Sequence, residues 1–299
     1  MKYINGHFLR LALPVLVLLV SATCQHYKEP PYPDPDLEAR NARLAEVKRS
    51  LKTLESAGEA ATLEMLGNPD HRVRRRAARR LGELRVSDSH VIEKLAAVIE
   101  DPRREVRIEA ASALGKIGTP DALESLIRAL ADDDYKVRLW AFKGLVRSSD
   151  RSVTLLIRHL SSDSPLRSLS YFDEMDQRHD ITELLIECLS SIGKPAVPAL
   201  KNVLPNENLE VRKNAATVLG NIGKDAAEAI RELLEIANSE EDIELRKSAL
   251  TAIGKIGDVD PEVTPTLLGL TQGDNPSIAA SARQVLNEFE KNQRKGKRK

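Results

Sequence analysis

One skeleton keeps returning along the chain: EVRIEAASALGKIG at 105–118, KVRLWAFKGLVRS at 136–148, EVRKNAATVLGNIG at 210–223 and ELRKSALTAIGKIG at 244–257. The apolar residue that anchors each copy is Val73, Val106, Val137, Ile181, Val211, Leu245 or Ile278. The successive spacings are 33, 31, 44, 30, 34 and 33 residues. Self-similarity at this period means stacked supersecondary units, each too small to bury its own apolar face. Apolar or small residues recur at the anchor and four, five and eight positions beyond it, as in Val106, Ala110, Ala111 and Leu114, which is one face of a helix.

The flanks of that helix are marked too. Asp70, Asp134, Asp163, Asn208, Asp242 or Asn275 stands at its head, a side chain that can accept from free N–H groups. Gly118, Gly193, Gly223 and Gly257 fall twelve residues after their anchors, where the chain must leave the helix through positive φ. A second apolar-periodic segment precedes each cap, as in HVIEKLAAVI at 90–99 and DALESLIRAL at 121–130. Each unit therefore reads as helix A, short turn, helix B, tight turn. The Arg after most anchors (Arg74, Arg107, Arg138, Arg212, Arg246) is expected to pair with a capping carboxylate of its own or the adjacent unit.

The D..VR..AA..LG.IG pattern resembles the HEAT repeat, in particular the short variety named after phycobilisome lyases. The resemblance covers roughly residues 57–290. It implies an all-α fold, an α-solenoid of about seven helix pairs with the B helices lining a concave face.

Positions two, three and six after each anchor are not needed for stacking and should face out. They are Arg75, Arg76 and Arg79 in the first unit, and Ile108, Glu109 and Ser112 in the second. In the third they are Leu139, Trp140 and Lys143. A basic end thus leads into an apolar strip carrying the only tryptophan. Two roles stay open for Trp140: the centre of a protein-binding surface, or a lid over Ala111 that serves the core. The arginines are either a solvated face or a patch for an acidic partner or lipid phosphate.

The 44-residue spacing marks an insertion near 166–180, with SLSYFDEMDQRHD at 168–180. Its Asp173, Glu174, Asp176, His179 and Asp180 are oxygen and imidazole groups that could hold a divalent cation, but their spacing matches neither an EF-hand nor a zincin, and no metal is expected.

The N-terminus MKYINGHFLRLALPVLVLLVSATC has a basic start, a ten-residue apolar run and small residues before Cys24, the anatomy of a secretory signal. The cysteine after it resembles the lipobox of bacterial lipoproteins, which implies a signal peptide over 1–23 and a lipid on Cys24. Cleavage after Ala22 is the alternative. Four prolines in QHYKEPPYPDPD make residues 24–36 an extended tether. The repeats would then occupy 37–290 and a basic tail 291–299.

Charge and chemistry exclude other classes. Formal net charge is zero and aromatics are 3%, which argues against a nucleic-acid partner. Deoxyhypusine hydroxylase uses this repeat with His-Glu pairs on iron, but no His here is followed by Glu. Bilin lyases are also similar. Cys188 falls at a core position, and no phosphate loop or nucleophile elbow is present. The expectation is a non-catalytic scaffold in the bacterial cell envelope. It needs no cofactor, is lipid-anchored through Cys24, and binds a protein through the B-helix face. The alternative is a module for an anionic lipid or envelope polymer, using the Arg cluster and the tail.

Overall fold

A computed structural model describes residues 36–296 apart from 162–163, 165, 167–168, 173–176, 240–241 and 258–259. Cys24, the apolar leader and the tether lie outside the described residues. The described residues divide into two units after Ser50. Helix α1 (Leu37–Ser56) crosses the boundary between them.

The second unit is a stack of seven helix pairs. The first pair is α2 (Glu59–Glu64), continued by a 3-10 turn, with α3 (His71–Leu84). The second is α4 (Ser89–Val98) with α5 (Arg104–Ile117), and the third α6 (Pro120–Ala129) with α7 (Tyr135–Arg147). The fourth joins α8 (Ser149–Arg158) to α9 (Thr182–Ile192) through a β-hairpin. Then come α10 (Val197–Val203) with α11 (Leu209–Ile222), and α12 (Ile230–Ser239), entered through a 3-10 segment, with α13 (Ile243–Ile256). The last pair is α14 (Val263–Leu270) with α15 (Pro276–Gly296). All seven anchors are buried, and so are Ala77, Ala78 and Leu81, Ala110, Ala111 and Leu114, and Ala215, Ala216 and Leu219. In α15 the equivalent position Arg283 is exposed, because no further helix pair covers it among the described residues.

The helix ends follow the chemistry of their caps. Asp70 accepts from the N–H of Arg72 and Asp134 from that of Lys136, both at 2.8 Å. Asn208 accepts from Glu210 and Val211, and Asp242 from Leu245. Such caps contribute about 1 kcal/mol each. Two units depart from the expected cap. Arg103 heads α5 without a side-chain cap, and Asp180 accepts from the N–H of Thr182 at α9. Gly118, Gly193, Gly223 and Gly257 all have positive φ. At the matching place in the first pair stands Arg85, with φ 50°. The third pair turns without positive φ, at Ser148.

The arginines after the anchors brace the turns, but not through the caps. Arg74 grips Asp101 with two hydrogen bonds, of 2.7 and 3.0 Å, and Arg107 grips Asp132 at 2.7 and 2.9 Å. These carboxylates lie five residues before the next anchor, where they also accept the N–H groups of Arg103 and Asp134. Arg138, Arg212 and Arg246 instead donate to the carbonyls of Asp132, Leu204 and Ala237.

Successive B helices touch backbone to backbone. A Cβ on Gly82 would meet the Cα of Ala113 at 2.6 Å, and one on Gly115 would meet the Cα of Gly144 at 2.8 Å. One on Gly220 would meet the Cα of Ala252, also at 2.8 Å. Successive B helices are in more extensive contact than successive A helices. This contact weakens on both sides of α9, where the glycine position holds Val146 and then Ser190.

The insertion is the one departure from an all-α fold among the described residues. Ser170–Phe172 (β1) pairs antiparallel with Arg178–Asp180 (β2), Tyr171 opposite His179. The two rings stack at 5.3 Å, and the Arg138 guanidinium lies 4.3 Å over the Tyr171 ring. Asp173, Glu174 and Asp176 lie outside the described residues. Helix α15 runs on through Gly296, into the segment expected as a tail.

Candidate partner-binding surface

The B row places Ile108 on α5 and Leu139, Trp140 and Lys143 on α7, because two and three residues past an anchor turn a side chain away from the A helices. Trp140 is 36% exposed and Leu139 40%. A core tryptophan would not be this accessible. Lys143 holds its ammonium 5.2 Å over the indole, which fixes the ring without covering it. Ile108 is half-buried beside them in the row.

The basic end is smaller than expected. Arg79 is ion-paired to Glu109, with Nε 3.1 Å from Oε2. Glu109 keeps only 15% of its side chain exposed. Both were expected as outward contact residues, but each satisfies the other across α3 and α5. Their charges cancel and the pair becomes part of the wall. Arg75 and Arg76 remain exposed and form no hydrogen bond or ion pair among the described residues.

The fourth pair supplies residues that the sequence pattern did not bring out. Counting from Ile181, the outward positions are Glu183, Leu184 and Glu187, and the two glutamates are exposed. The row therefore runs from cations at Arg75 and Arg76, through apolar Ile108, Leu139 and Trp140, to anions at Glu183 and Glu187. Their signal was the same offset rule, hidden by the insertion that displaces the cap.

Two polar groups bear on chemistry. Cys188 is fully buried, and burial pushes its thiol far above the ordinary range. A thiol held protonated is a packing group, not a nucleophile. His159 is buried between Glu124 (Nε2 to Oε1, 2.9 Å) and Ser164 (Nδ1 to Oγ, 2.7 Å). The Ser164 hydroxyl also accepts the N–H of Leu166. This chain ties α6, the end of α8 and the start of the insertion together, the work of a brace. Among the described residues no His, Cys, Asp and Glu group could hold a metal ion, and no helix is long and apolar enough to cross a membrane.

Seven stacked helix pairs with a continuous B row define an α-solenoid built from repeats. Residues 59–146, 174–249 and 197–287 match the HEAT repeats family, and the chain belongs to it. It is 29% identical over 170 residues to the phycocyanobilin lyase subunit alpha of Picosynechococcus, covering 54% of this chain and 62% of that one. It is 28% identical over 153 residues to a HEAT repeat-containing taxis protein of Halobacterium salinarum, covering 46% and 37%. The chain thus spans less than two thirds of either relative. Among solved structures it is similar to the complex of CpcE and CpcF of phycocyanin lyase from Nostoc, with 24% identity, a TM-score of 0.36, and 79% of this chain and 94% of that one covered.

Proposed function

We propose that the protein is a non-catalytic interaction scaffold that binds a protein partner through its B-helix row, with Trp140 as the anchor. The observation that carries this is the exposed Trp140–Leu139 pair, flanked by cations on one side and anions on the other. An exposed aromatic inside a polar frame is the arrangement that concentrates binding energy. The same proposal places the protein in the bacterial cell envelope, held by a lipid on Cys24. A relative named as a lyase subunit supports a second reading, a lyase-like role, because its name is that of an enzyme component. Arg75 and Arg76 with the basic tail remain the elements of an anionic-lipid or polymer site, weakened by the loss of Arg79 to Glu109.

The test places a photo-crosslinking amino acid at Trp140 or at Leu268, an exposed apolar residue on α14. A partner crosslinked from 140 and not from 268 is then purified. Trp140→Ala should weaken its binding more than tenfold, since truncating a buried aromatic anchor costs about 2 kcal/mol, and should leave the melting temperature nearly unchanged. A variant that melts many degrees lower makes Trp140 a core residue and ends the proposal. Saturable binding of free phycocyanobilin would favour the lyase-like reading. Capture that collapses with added salt and survives Trp140→Ala would favour the anionic one.

A further inference from the structure

The turns that lead from helix B to the next helix A hold a second feature, on a different edge of the stack. Arg85, Lys116, Arg147 and Arg151 line one concavity of about 370 Å³, together with Ser148, Ser149 and the turn at Gly118. Asp150 is the one acidic residue lining it, so the formal charge of the rim is four positive against one negative. The side chains of Arg85, Lys116 and Arg147 form no hydrogen bond or ion pair among the described residues. The Arg151 guanidinium donates to the carbonyl of Gly118 at 3.2 Å. Several arginines elsewhere in these pairs are matched with carboxylates, Arg74 with Asp101, Arg79 with Glu109, Arg107 with Asp132 and Arg158 with Glu124, whereas Arg75 and Arg76 share the unmatched state but do not line this concavity with the other cations.

Helix dipoles explain part of this and fail on the rest. Lys116 and Arg147 sit in the last turns of α5 and α7, where a cation is favoured. Arg151 sits in the first turn of α8, where a cation is disfavoured. Arg85 is more telling. It occupies the left-handed position twelve residues past its anchor, which Gly118, Gly193, Gly223 and Gly257 fill in four other pairs. Among the described residues it is the single non-glycine with positive φ. A residue with a Cβ is strained there, and strain that a neighbouring repeat avoids with glycine points to a use for the side chain.

We infer that this concavity binds a phosphate group. Three arginine forks and a lysine can surround its oxygens and the Ser148 hydroxyl can donate to them, while the Ser149 hydroxyl is turned to Asp150, the one carboxylate on the rim. The group is either part of a soluble phosphate ester or a lipid headgroup.

The test uses the full chain. Pyrophosphate is titrated calorimetrically against wild type, Arg85→Gly, Arg147→Ser and Lys136→Gln, the last an exposed lysine at the head of α7. Wild type and Lys136→Gln should bind alike. Arg85→Gly should lose at least tenfold in affinity while melting no lower than wild type, because glycine relieves the backbone. A simple fold defect would lower both. The second arm is co-flotation of the full chain carrying Cys24→Ser, so that no lipid on that residue contributes, with phosphatidylcholine vesicles carrying phosphatidic acid. Flotation abolished by Arg85→Gly assigns the phosphate to a lipid headgroup, and pyrophosphate binding without flotation assigns it to a soluble ester. No saturable binding in either arm, or binding indifferent to Arg85→Gly, overturns the site.

Discussion

The backbone contact between B helices makes a prediction that runs against helix propensity. Gly115→Ala should destabilise the protein, although Gly to Ala inside a helix ordinarily stabilises by about 0.5–1 kcal/mol. The new Cβ would lie 2.8 Å from the Cα of Gly144, a backbone atom that no side-chain rotation can remove. Carbon atoms rest at about 3.5–4.0 Å, so α5 and α7 must separate locally by roughly 0.7 Å or more. A gap of that size forfeits about a quarter to a half of each contact across it. The losers are buried Ala110, Ala111 and Leu114 on one side and Ala141 and Leu145 on the other. Overpacking of this kind costs about 1–3 kcal/mol, and subtracting the propensity gain leaves a net loss centred on about 1 kcal/mol. Gly269→Ala on α14 is the matched control: nothing lies within 4 Å of its Cβ position, so only the propensity gain remains. Urea unfolding followed by far-UV circular dichroism reads both variants. Midpoints should move in opposite directions at unchanged slope. If Gly115→Ala rises together with Gly269→Ala, successive B helices are not in backbone contact.

Three other expectations follow from described side chains. The Asp70 carboxyl is held at about 2, chiefly by its hydrogen bonds from Arg72; burial raises Asp101, but Arg74 and the N–H of Arg103 more than offset this and leave it lowered. Both are depressed in the folded state, so their stabilisation is complete above the unfolded value of about 4 and fades as pH falls toward 2; Asp101→Asn should flatten the loss between pH 4 and 2 in denaturant titrations, and an unchanged slope would refute the assignment. Cys188 should resist a thiol reagent in the native protein and react fully after unfolding, as mapped by mass spectrometry of its peptide; fast native labelling would contradict its burial. Arg138→Ala should speed hydrogen exchange in 170–172 and 178–180 about fivefold, the equivalent of the roughly 1 kcal/mol of a cation–π contact, with α7 unaffected.

Much of the stack could be read from the residues. The anchors, the alanines beside them and the glycine turns fixed seven pairs and their register, because burial along one helix is a local periodicity. What escaped were relations between residues about thirty positions apart. The Arg79–Glu109 pair joins two positions that each looked outward when counted within a single helix. The carboxylates that receive Arg74 and Arg107 lie two residues before the caps, a place the cap pattern does not single out. Gly82, Gly115 and Gly220 were in the quoted motif, and a glycine recurring inside a helix is costly enough to signal a close approach. The hairpin was hidden because its strands are three residues long and carry no alternating run.

The interruption around α9 has a mechanical meaning. A solenoid's resistance to bending is set joint by joint, since each repeat touches only its neighbours. Where glycine lets two backbones meet, the joint resists opening, because any tilt strips contacts from both helices at once. On either side of α9, Val146 and Ser190 stand as spacers, and side chains can slide or change rotamer where backbones cannot. Compliance is therefore concentrated at the fourth pair, with backbone contact between α3, α5 and α7 before it and between α11 and α13 after it. Trp140 sits beside that joint, on α7, and Glu183 and Glu187 ride on the joint itself. A partner seated there would be gripped by two jaws whose opening can adjust to its width, and its binding would register along the stack as a change of curvature.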